Sequence, residues 1–410
     1  MATPEPPTLR RSLGTADAVT IGLGSMLGAG IFVALAPAAA AAGSALLAGL
    51  ALAAIVAYCN ATSSARLAVL YPQSGGTYVY GRERLGPFWG YTAGWSFVVG
   101  KTASCAAMAL TVGVYAWPDH AHAVAVAAVV ALTAVNTVGV QKSAWLTRVI
   151  VAVVLAVLAA VVTVTASSGG ADVSRLAMHD VSVLGVLQAA GLSFFAFAGY
   201  ARIATLGEEV RDPTTTIPRA IRIALGLVLV VYATVAVAVL SQLGSAAMAS
   251  ATAPLAEAMT AAGHPGLTPL VRVGATVAAL GSLLALILGV SRTALAMARD
   301  RHLPGALAAV HPRFNTPYRA ELAVGAIVAV GAAVLDLRGA IGFSSFAVLV
   351  YYAIANASAM TLGARVIPIA GLVGCLVLAF TLPVTSVLTG TAVVLVGAAL
   401  YAVRRGRLAR

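Results

Sequence analysis

Three glycines and a serine interrupt a long apolar segment near the start of the chain. Gly24, Ser25, Gly28 and Gly30 lie in a run that is otherwise apolar from about residue 14 to residue 42. Glycine weakens a helix, and free backbone N–H and C=O groups at membrane depth are tolerated only where they face protein or a water-filled cavity. Such groups can bind a solute, because N–H groups at a helix start attract anions and unwound carbonyls attract cations. We therefore expect a broken helix that binds a small solute.

A second apolar run, at residues 183–206, carries a matching interruption at Gly199. It lies five apolar runs after the first, and a set of five crossings places the next set upside down in the membrane. This is the arrangement of inverted-repeat transporters, in which two discontinuous helices form the substrate site. The alternative is that the glycines serve close helix packing, since Gly24 and Gly28 form a small-xxx-small pattern. The aromatic residues around the second interruption are Phe194, Phe195, Phe197 and Tyr200.

The composition is that of an all-α integral membrane protein. Of the 410 residues 60% are apolar and only 9% are charged, and the mean hydropathy is +0.97. Apolar runs of about 20 residues each predict twelve transmembrane helices. Their approximate ranges are 14–42, 45–69, 88–117, 121–140, 146–167, 183–206, 219–242, 267–298, 320–336, 339–363, 366–383 and 385–403.

The basic residues predict the orientation. Most of the 25 lysines and arginines fall in loops on the same side as the termini, so both termini should be cytoplasmic in a multi-pass protein of the cytoplasmic membrane. The net charge of +12 is spread singly along the chain and forms no basic stripe, which argues against nucleic acid as a partner. The lipid bilayer is the expected surrounding, and the sequence gives no indication of oligomeric state.

Four blocks of sequence resemble the amino acid–polyamine–organocation (APC) family of permeases. The resemblance implies a five-plus-five inverted repeat with broken helices 1 and 6, two additional C-terminal helices, and transport by alternating access. The blocks lie at 24–32, 72–80, 194–221 and 291–304. The implied segments are a cytoplasmic N-terminal segment 1–13, a first repeat 14–168, a second repeat 183–363, two accessory helices 364–403 and a basic tail 404–410.

The same resemblance implies a site for a solute with an α-amino and a carboxylate group. Backbone N–H groups in the first break would hold the carboxylate, and carbonyl groups of both breaks would hold the ammonium. Phe195 and Phe197 would form an aromatic lid, or else serve only packing. The implied binding residues are Ser25, Met26, Gly28, Ala29, Gly30, Phe195, Phe197, Ala198 and Gly199.

Lys101 is an ionisable residue in the middle of the third predicted span. At that depth an ammonium group must find carbonyl partners or lose its proton. Members of the family place a lysine in span 5, which contains none here, so we hypothesise that Lys101 takes the equivalent role from span 3. It would act as a fixed charge replacing sodium or as a proton acceptor. The alternative is a structural lysine capped by carbonyls.

Arg202 lies in the second half of span 6 and shares a helical face with Glu209. The pair could form an inner gate, or Arg202 could reach the lipid headgroups. Lys101 and Arg202 are nearly the only ionisable residues that we expect within spans, and all six histidines are expected in loops. Hence neither a catalytic triad nor a metal site can be assembled, and we expect no enzyme, metal or cofactor.

These features predict a secondary active transporter for a neutral amino acid, working by proton symport or exchange. A dedicated site for a cationic solute is disfavoured, because no carboxylate is expected at depth and a second cation would meet Lys101 unshielded. The alternatives are a transporter of a related amine or polyamine, a channel, or a membrane sensor. A channel would need a continuous polar pore stripe, which is not found.

Overall fold

The computed structural model describes residues 13–71, 75–139, 144–178, 181–204, 206, 209–314 and 316–408, and these are nearly all helical. The first 12 residues and residues 72–74 of the second family-like block lie outside this description. The first nine helices are α1 (Thr15–Met26), α2 (Gly30–Val33), α3 (Leu35–Ala42), α4 (Leu46–Leu70), α5 (Thr77–Leu85), α6 (Pro87–Ala116), α7 (Ala121–Thr137), α8 (Ala144–Ser167) and α9 (Val183–Phe197). The remaining eight are α10 (Ala201–Ala204), α11 (Pro213–Ser250), α12 (Pro254–Ala261), α13 (Thr268–Arg299), α14 (Tyr318–Val334), α15 (Leu337–Met360), α16 (Val366–Thr381) and α17 (Val384–Leu408).

Ten helical stretches of the described chain are long and apolar enough to cross a membrane. The prediction of a helical protein with many membrane spans is therefore confirmed. Helices α14 and α16 contain only 17 and 16 residues, so length and hydropathy do not place them among the ten. The described ranges contain no β-strand, only an isolated parallel bridge between Leu13 and Val210.

Three helices differ from the sequence prediction. Helix α11 was expected at 219–242, but it runs from Pro213 to Ser250. It begins earlier because proline is favourable at the first position of a helix, and it ends later because the chain continues past a kink at Gly244. The φ of Gly244 is +75°, a conformation that favours glycine. Helices α5 and α12 were not predicted, since they have only nine and eight residues and lie between the long apolar runs.

The middle of the bundle is formed by α6, which packs against both α13 and α15. Helix α9 packs against α3 and α4, and α11 packs against α1, α3 and α4. This arrangement brings the interrupted chain segments, α1–α2 and α9–α10, into the protein interior, away from the surface that faces lipid. It is the feature of the fold that positions the candidate site.

Helix α5 is fastened to the end of α13 by a small polar cluster. The Tyr78 hydroxyl donates to Asp300 Oδ2 at 2.5 Å and lies 2.8 Å from His302 Nδ1, while Arg82 forms an ion pair of 2.8 Å with Asp300. Burial and the hydrogen bond to Asp300 raise the pKa of Tyr78, so the phenol keeps its proton. Because that single proton goes to Asp300, His302 is the donor to the Tyr78 oxygen. We call this end of the bundle, with Arg82, Arg84, Arg299, Arg301 and Arg404, the basic end.

The pH dependence of stability tests this cluster. Burial lowers the pKa of His302, Arg82 and Arg404 lower it further, and Asp300 opposes them. The unfolded state therefore binds a proton at His302 more readily than the folded state, so stability should be full above about pH 6.5 and fall as the pH decreases below it. We expect the melting temperature of the purified protein to fall between pH 7.5 and 5.5, and less steeply in His302→Asn. His120→Asn, at an exposed position, should retain the wild-type slope; an unchanged slope in His302→Asn would contradict the assignment.

Candidate functional site

At the first interruption, consecutive backbone N–H groups have no partner within the described part of the chain. Helix α1 ends at Met26 and helical structure resumes at Gly30. None of the N–H groups of Gly28, Ala29 and Gly30 has a hydrogen-bond acceptor among the described residues, although all three residues are buried. Buried N–H groups are almost always paired, so three consecutive unpaired donors mark a place where an anionic group can be bound.

The second interruption is a change of helix type. Helix α9 ends at Phe197, a 3-10 turn covers Ala198–Tyr200, and α10 begins at Ala201. A 3-10 turn inside a long helix releases carbonyl groups from the α-helical pattern, and these can accept from a ligand or from another side chain.

The two interruptions touch each other. A Cβ atom added at Gly199 would lie only 2.2 Å from the Ser25 carbonyl oxygen, and one added at Gly30 would lie 2.6 Å from the Ala196 Cα atom. Only glycine permits these approaches, because real Cβ atoms do not come so close to backbone. Gly30 and Gly199 therefore allow close packing at the interruptions themselves, while Gly24 and Gly28, the pair of the small-xxx-small pattern, pack closely against Thr147 and Ser282.

Tyr232 of α11 connects the two interruptions. Its hydroxyl lies 2.5 Å from the Met26 carbonyl oxygen and 3.1 Å from that of Ala196, and it can donate its single proton to either. The Phe197 ring packs edge-on against the Tyr232 ring, with centroids 5.2 Å apart. Sequence reasoning missed Tyr232, because nothing local distinguishes a tyrosine in an apolar run from a core residue. A tyrosine at depth needs a hydrogen-bond partner, and that was the available signal.

Lys101 reaches the second interruption. Its side chain is 7% exposed, and its Nζ donates to the Ala198 carbonyl oxygen at 3.4 Å. The Tyr352 hydroxyl of α15 donates to the same oxygen, also at 3.4 Å. A side-chain donor from α6 thus contacts one of the carbonyl groups that the sequence analysis assigned to the solute ammonium.

The predicted site residues divide into two groups. The first group, whose members are named below, lies at or next to the two interruptions that touch each other. Within it, the Phe195 side chain is 8% exposed and the Phe197 side chain is fully buried. Arg202 and Glu209 lie beyond the second interruption, towards the basic end. Arg202 is exposed, the charges of Glu209 and Arg292 both act on it, and the Glu209 carbonyl accepts from the Leu13 N–H at 3.1 Å. The first group comprises Ser25, Met26, Gly28, Ala29, Gly30, Phe195, Phe197, Ala198 and Gly199, together with Lys101.

The sequence analysis did not single out one buried carboxylate. Glu321 lies in the first turn of α14, at the start of the ninth predicted span, and is 0% exposed. Packing of neighbouring helices covers it, and sequence alone does not reveal this. One histidine, His122, also lies within a helix, near the start of α7.

Interrupted helices that meet inside a bundle of apolar helices are typical of secondary transporters, so fold and site together define the class of multi-pass membrane transporters. Comparison with protein families agrees: the family described as amino acid permease matches residues 17–403. The chain belongs to the amino acid permease family, as the four sequence blocks predicted. It is a transporter and not an enzyme.

The similar proteins are also transporters. An uncharacterized transporter of Mycobacterium tuberculosis (strain ATCC 25618 / H37Rv) is 72% identical over 407 residues, which cover 98% of this chain and 92% of that protein. The chloroplastic cationic amino acid transporter 7 of Arabidopsis thaliana is 29% identical over 382 residues, covering 85% of this chain and 65% of that protein. A branched-chain amino acid permease of Bacillus subtilis (strain 168) is 26% identical over 335 residues, covering 76% and 72%.

The contact between the interruptions can be tested with one methyl group. Gly199→Ala places a Cβ atom against the Ser25 carbonyl, so the two segments must separate, and we expect transport to fall at least about tenfold, equivalent to about 1.4 kcal/mol. Gly226→Ala is the matched control: no atom lies within 4 Å of its added Cβ, and alanine favours the helix by about 0.5–1 kcal/mol. Substrate uptake and melting temperature of both variants provide the measurement. Equal activity of the two would show that the close approach is dispensable.

Proposed function

We propose that the protein is a secondary active transporter that carries a neutral amino acid across the cell membrane by alternating access. The observation that carries the proposal is the set of buried N–H groups at Gly28, Ala29 and Gly30, which have no acceptor in the described ranges and lie directly beside a second interrupted helix. Donors of this kind are arranged for the carboxylate that every amino acid possesses.

Carbonyl groups on the same two segments provide the complementary half of the site. The Met26 oxygen accepts from one protein donor, and because a carbonyl oxygen has two lone pairs it can accept again. The Ala198 oxygen already accepts from both Lys101 and Tyr352, so it becomes available to a substrate only when one of these donors moves away. With that displacement, the carbonyls near Ser25, Met26, Phe195 and Ala198 can hold the substrate ammonium. No charged side chain is needed for either end of a zwitterion.

The donors at these carbonyls support coupling without sodium. Carbonyl oxygens of broken helices are typical ligands of a coupling sodium ion. Here the Tyr232 hydroxyl lies between the Met26 and Ala196 oxygens, and the Lys101 ammonium group contacts the Ala198 oxygen. Protein donors thus occupy acceptors that a sodium ion would use, which favours proton symport or exchange. Lys101 is the proposed coupling residue, either as a fixed charge or as a proton acceptor.

The position of the interruptions supports an inverted repeat. We assign twelve crossings in two inverted sets of five, at residues 14–168 and 183–363, with α16 and α17 as accessory helices. The interruption lies in the first crossing of each set, α1–α3 and α9–α10. Both termini and the basic end are assigned to the cytoplasm on the distribution of lysine and arginine.

Two gates are consistent with the contacts. Phe195 is the better candidate for an aromatic lid, since the Phe197 ring is held by Tyr232. At the basic end, Leu13 exchanges backbone hydrogen bonds with Glu209 and Arg211, joining the start of α1 to the segment after α10. Arg202 and Glu209 form the proposed inner gate beside this bridge, which must open when the two broken helices separate.

A neutral substrate is favoured over a cationic one. The Arabidopsis relative is named a cationic transporter and the Bacillus relative a branched-chain permease, so the names of relatives do not decide between them. The ammonium group of Lys101 lies at the second interruption, where it would repel a substrate carrying an additional positive charge. Glu321 is the buried carboxylate that could offset this repulsion, but it lies in the first turn of α14, beside the basic end.

Counterflow measurements test the proposed function. In proteoliposomes preloaded with unlabelled amino acid, we expect rapid uptake of labelled leucine or alanine, and uptake of arginine at least about tenfold slower. An inward proton gradient should increase leucine uptake or leave it unchanged, whereas a sodium gradient should have no effect. Uptake of arginine alone, or uptake driven only by sodium, would contradict the substrate and coupling proposals respectively. The absence of uptake for every amino acid would contradict the function itself.

Substitutions of Lys101 separate its two proposed roles. Arginine is always charged, so Lys101→Arg should retain gradient-driven uptake if a fixed charge is sufficient and lose it if Lys101 must release a proton. Lys101→Met should lose gradient-driven uptake in both cases. Thr102→Val is the control, because the Thr102 hydroxyl donates to the Val98 carbonyl of its own helix and to no other described group. Full pH-dependent uptake in Lys101→Met would leave Lys101 with a structural role only.

A further inference from the structure

The carboxyl group of Glu321 is buried, and no described residue pairs with it. Helix α14 packs against α6, α7 and α13, and the exposed fraction of Glu321 is 0%. Neither carboxylate oxygen has a hydrogen-bond partner within the described ranges. A carboxylate held in this way costs several kcal/mol, so the group must gain a proton or a counter-charge.

A second unpaired polar group lies nearby on the neighbouring helix. The Thr133 hydroxyl of α7 is buried and has no hydrogen-bond partner in the described chain. It lies 2.4 Å from the position of a Cβ atom on Gly325, so it is pressed against α14 one turn after Glu321. Residues four apart share a helix face, and the α7–α14 interface therefore contains both groups.

The charged neighbours of Glu321 do not neutralise it by direct contact. From α13, the charge of Arg292 acts on Glu321, but Arg292 is exposed and forms no ion pair with it. In the first turn of α14, Arg319 donates to the Tyr318 hydroxyl. The titratable groups of this surrounding are Arg292 on α13, His311 and Arg313 before the helix, Tyr318 and Arg319 in its first turn, Cys105 on α6, which packs in one cluster with Val324 and Val328, with Lys101 one turn before it, and His122 at the far end of α7, where its ring bonds to the Ala332 carbonyl.

We infer that Glu321 is a proton-binding site: it holds a proton in the conformation seen here and releases it at the basic end when the surrounding helices move. A protonated carboxyl removes the cost of an unpaired buried charge without requiring a metal ion or a salt bridge. Its place in the first turn of α14 puts the exchangeable proton close to the side that we assign to the cytoplasm. The inference rests on the proposed transport function and holds for either role of Lys101.

Arg292 provides a connection between this site and the broken helix. Its charge acts on Glu321 and also on Arg202 of α10, the half-helix that follows the second interruption. When α10 moves during alternating access, the balance of charge around Arg292 changes. Approach of Arg292 to Glu321 stabilises the ionised carboxylate and promotes release of its proton. Proton release and substrate release would thereby be linked.

Carbodiimide labelling tests the protonation directly. Dicyclohexylcarbodiimide is apolar and reacts with protonated carboxyl groups, and mass spectrometry of the full-length protein locates the modified residue. We expect Glu321 to be modified at pH 6 at least tenfold faster than Glu83, whose side chain is 43% exposed, and to react more slowly as the pH rises. Modification of Glu321 no faster than that of Glu83 would overturn the inference.

A transport experiment tests the coupling. Glu321→Gln mimics the protonated side chain, so leucine counterflow at equal pH should remain within twofold of wild type, while accumulation driven by an inward proton gradient should fall at least tenfold. Glu83→Gln should match wild type in both. Two results would overturn the inference but leave the proposed function intact. One is that Glu321→Gln accumulates leucine as well as wild type does, and the other is that the wild-type protein exchanges leucine without any response to the gradient. If Glu321→Gln does not fold, the labelling of wild-type protein decides.

Discussion

An apolar interior imposes one rule on a chain that crosses a membrane: every backbone N–H and C=O group must find a partner. Most of the described chain meets this requirement by forming helices. At residues 27–30 this requirement is not met, because three N–H groups have no acceptor among the described residues. At Ala198–Tyr200 the α-helical hydrogen bonding gives way to a 3-10 turn. Unpaired groups of this kind are costly unless a ligand satisfies them, so the rest of the structure must hold the two segments in a defined place.

Several contacts hold them there. Gly30 and Gly199 allow the backbones to approach within a distance that any side chain would prevent. The Tyr232 hydroxyl joins carbonyls on both sides, and Lys101 contacts the second interruption from α6. Each donor comes from a different helix, so the geometry of the breaks depends on the packing of α6 and α11 as well as on their own sequence. Movement of any of these helices changes which carbonyls remain available.

The sequence reveals these features to different extents. Glycine and serine in an apolar run carry a local signal, and both interruptions lie where that signal indicates; long apolar runs likewise predict most helix ends within a few residues. Lys101 was singled out because a cation at depth is unusual, whereas its partner Ala198 follows from three-dimensional packing. Tyr232 and Glu321 could not be found in this way. Their significance arises from neighbours on other helices, and for Glu321 from burial that its position in a first helical turn conceals.

The most direct measurement is an experimental structure of the protein with a bound neutral amino acid such as leucine. The account predicts the substrate carboxylate within hydrogen-bonding distance of the backbone N–H groups in the first interruption, and the ammonium group against carbonyls of both interruptions. A substrate bound elsewhere in the bundle, or one whose carboxylate is held by a side chain while these N–H groups remain unoccupied, would contradict it.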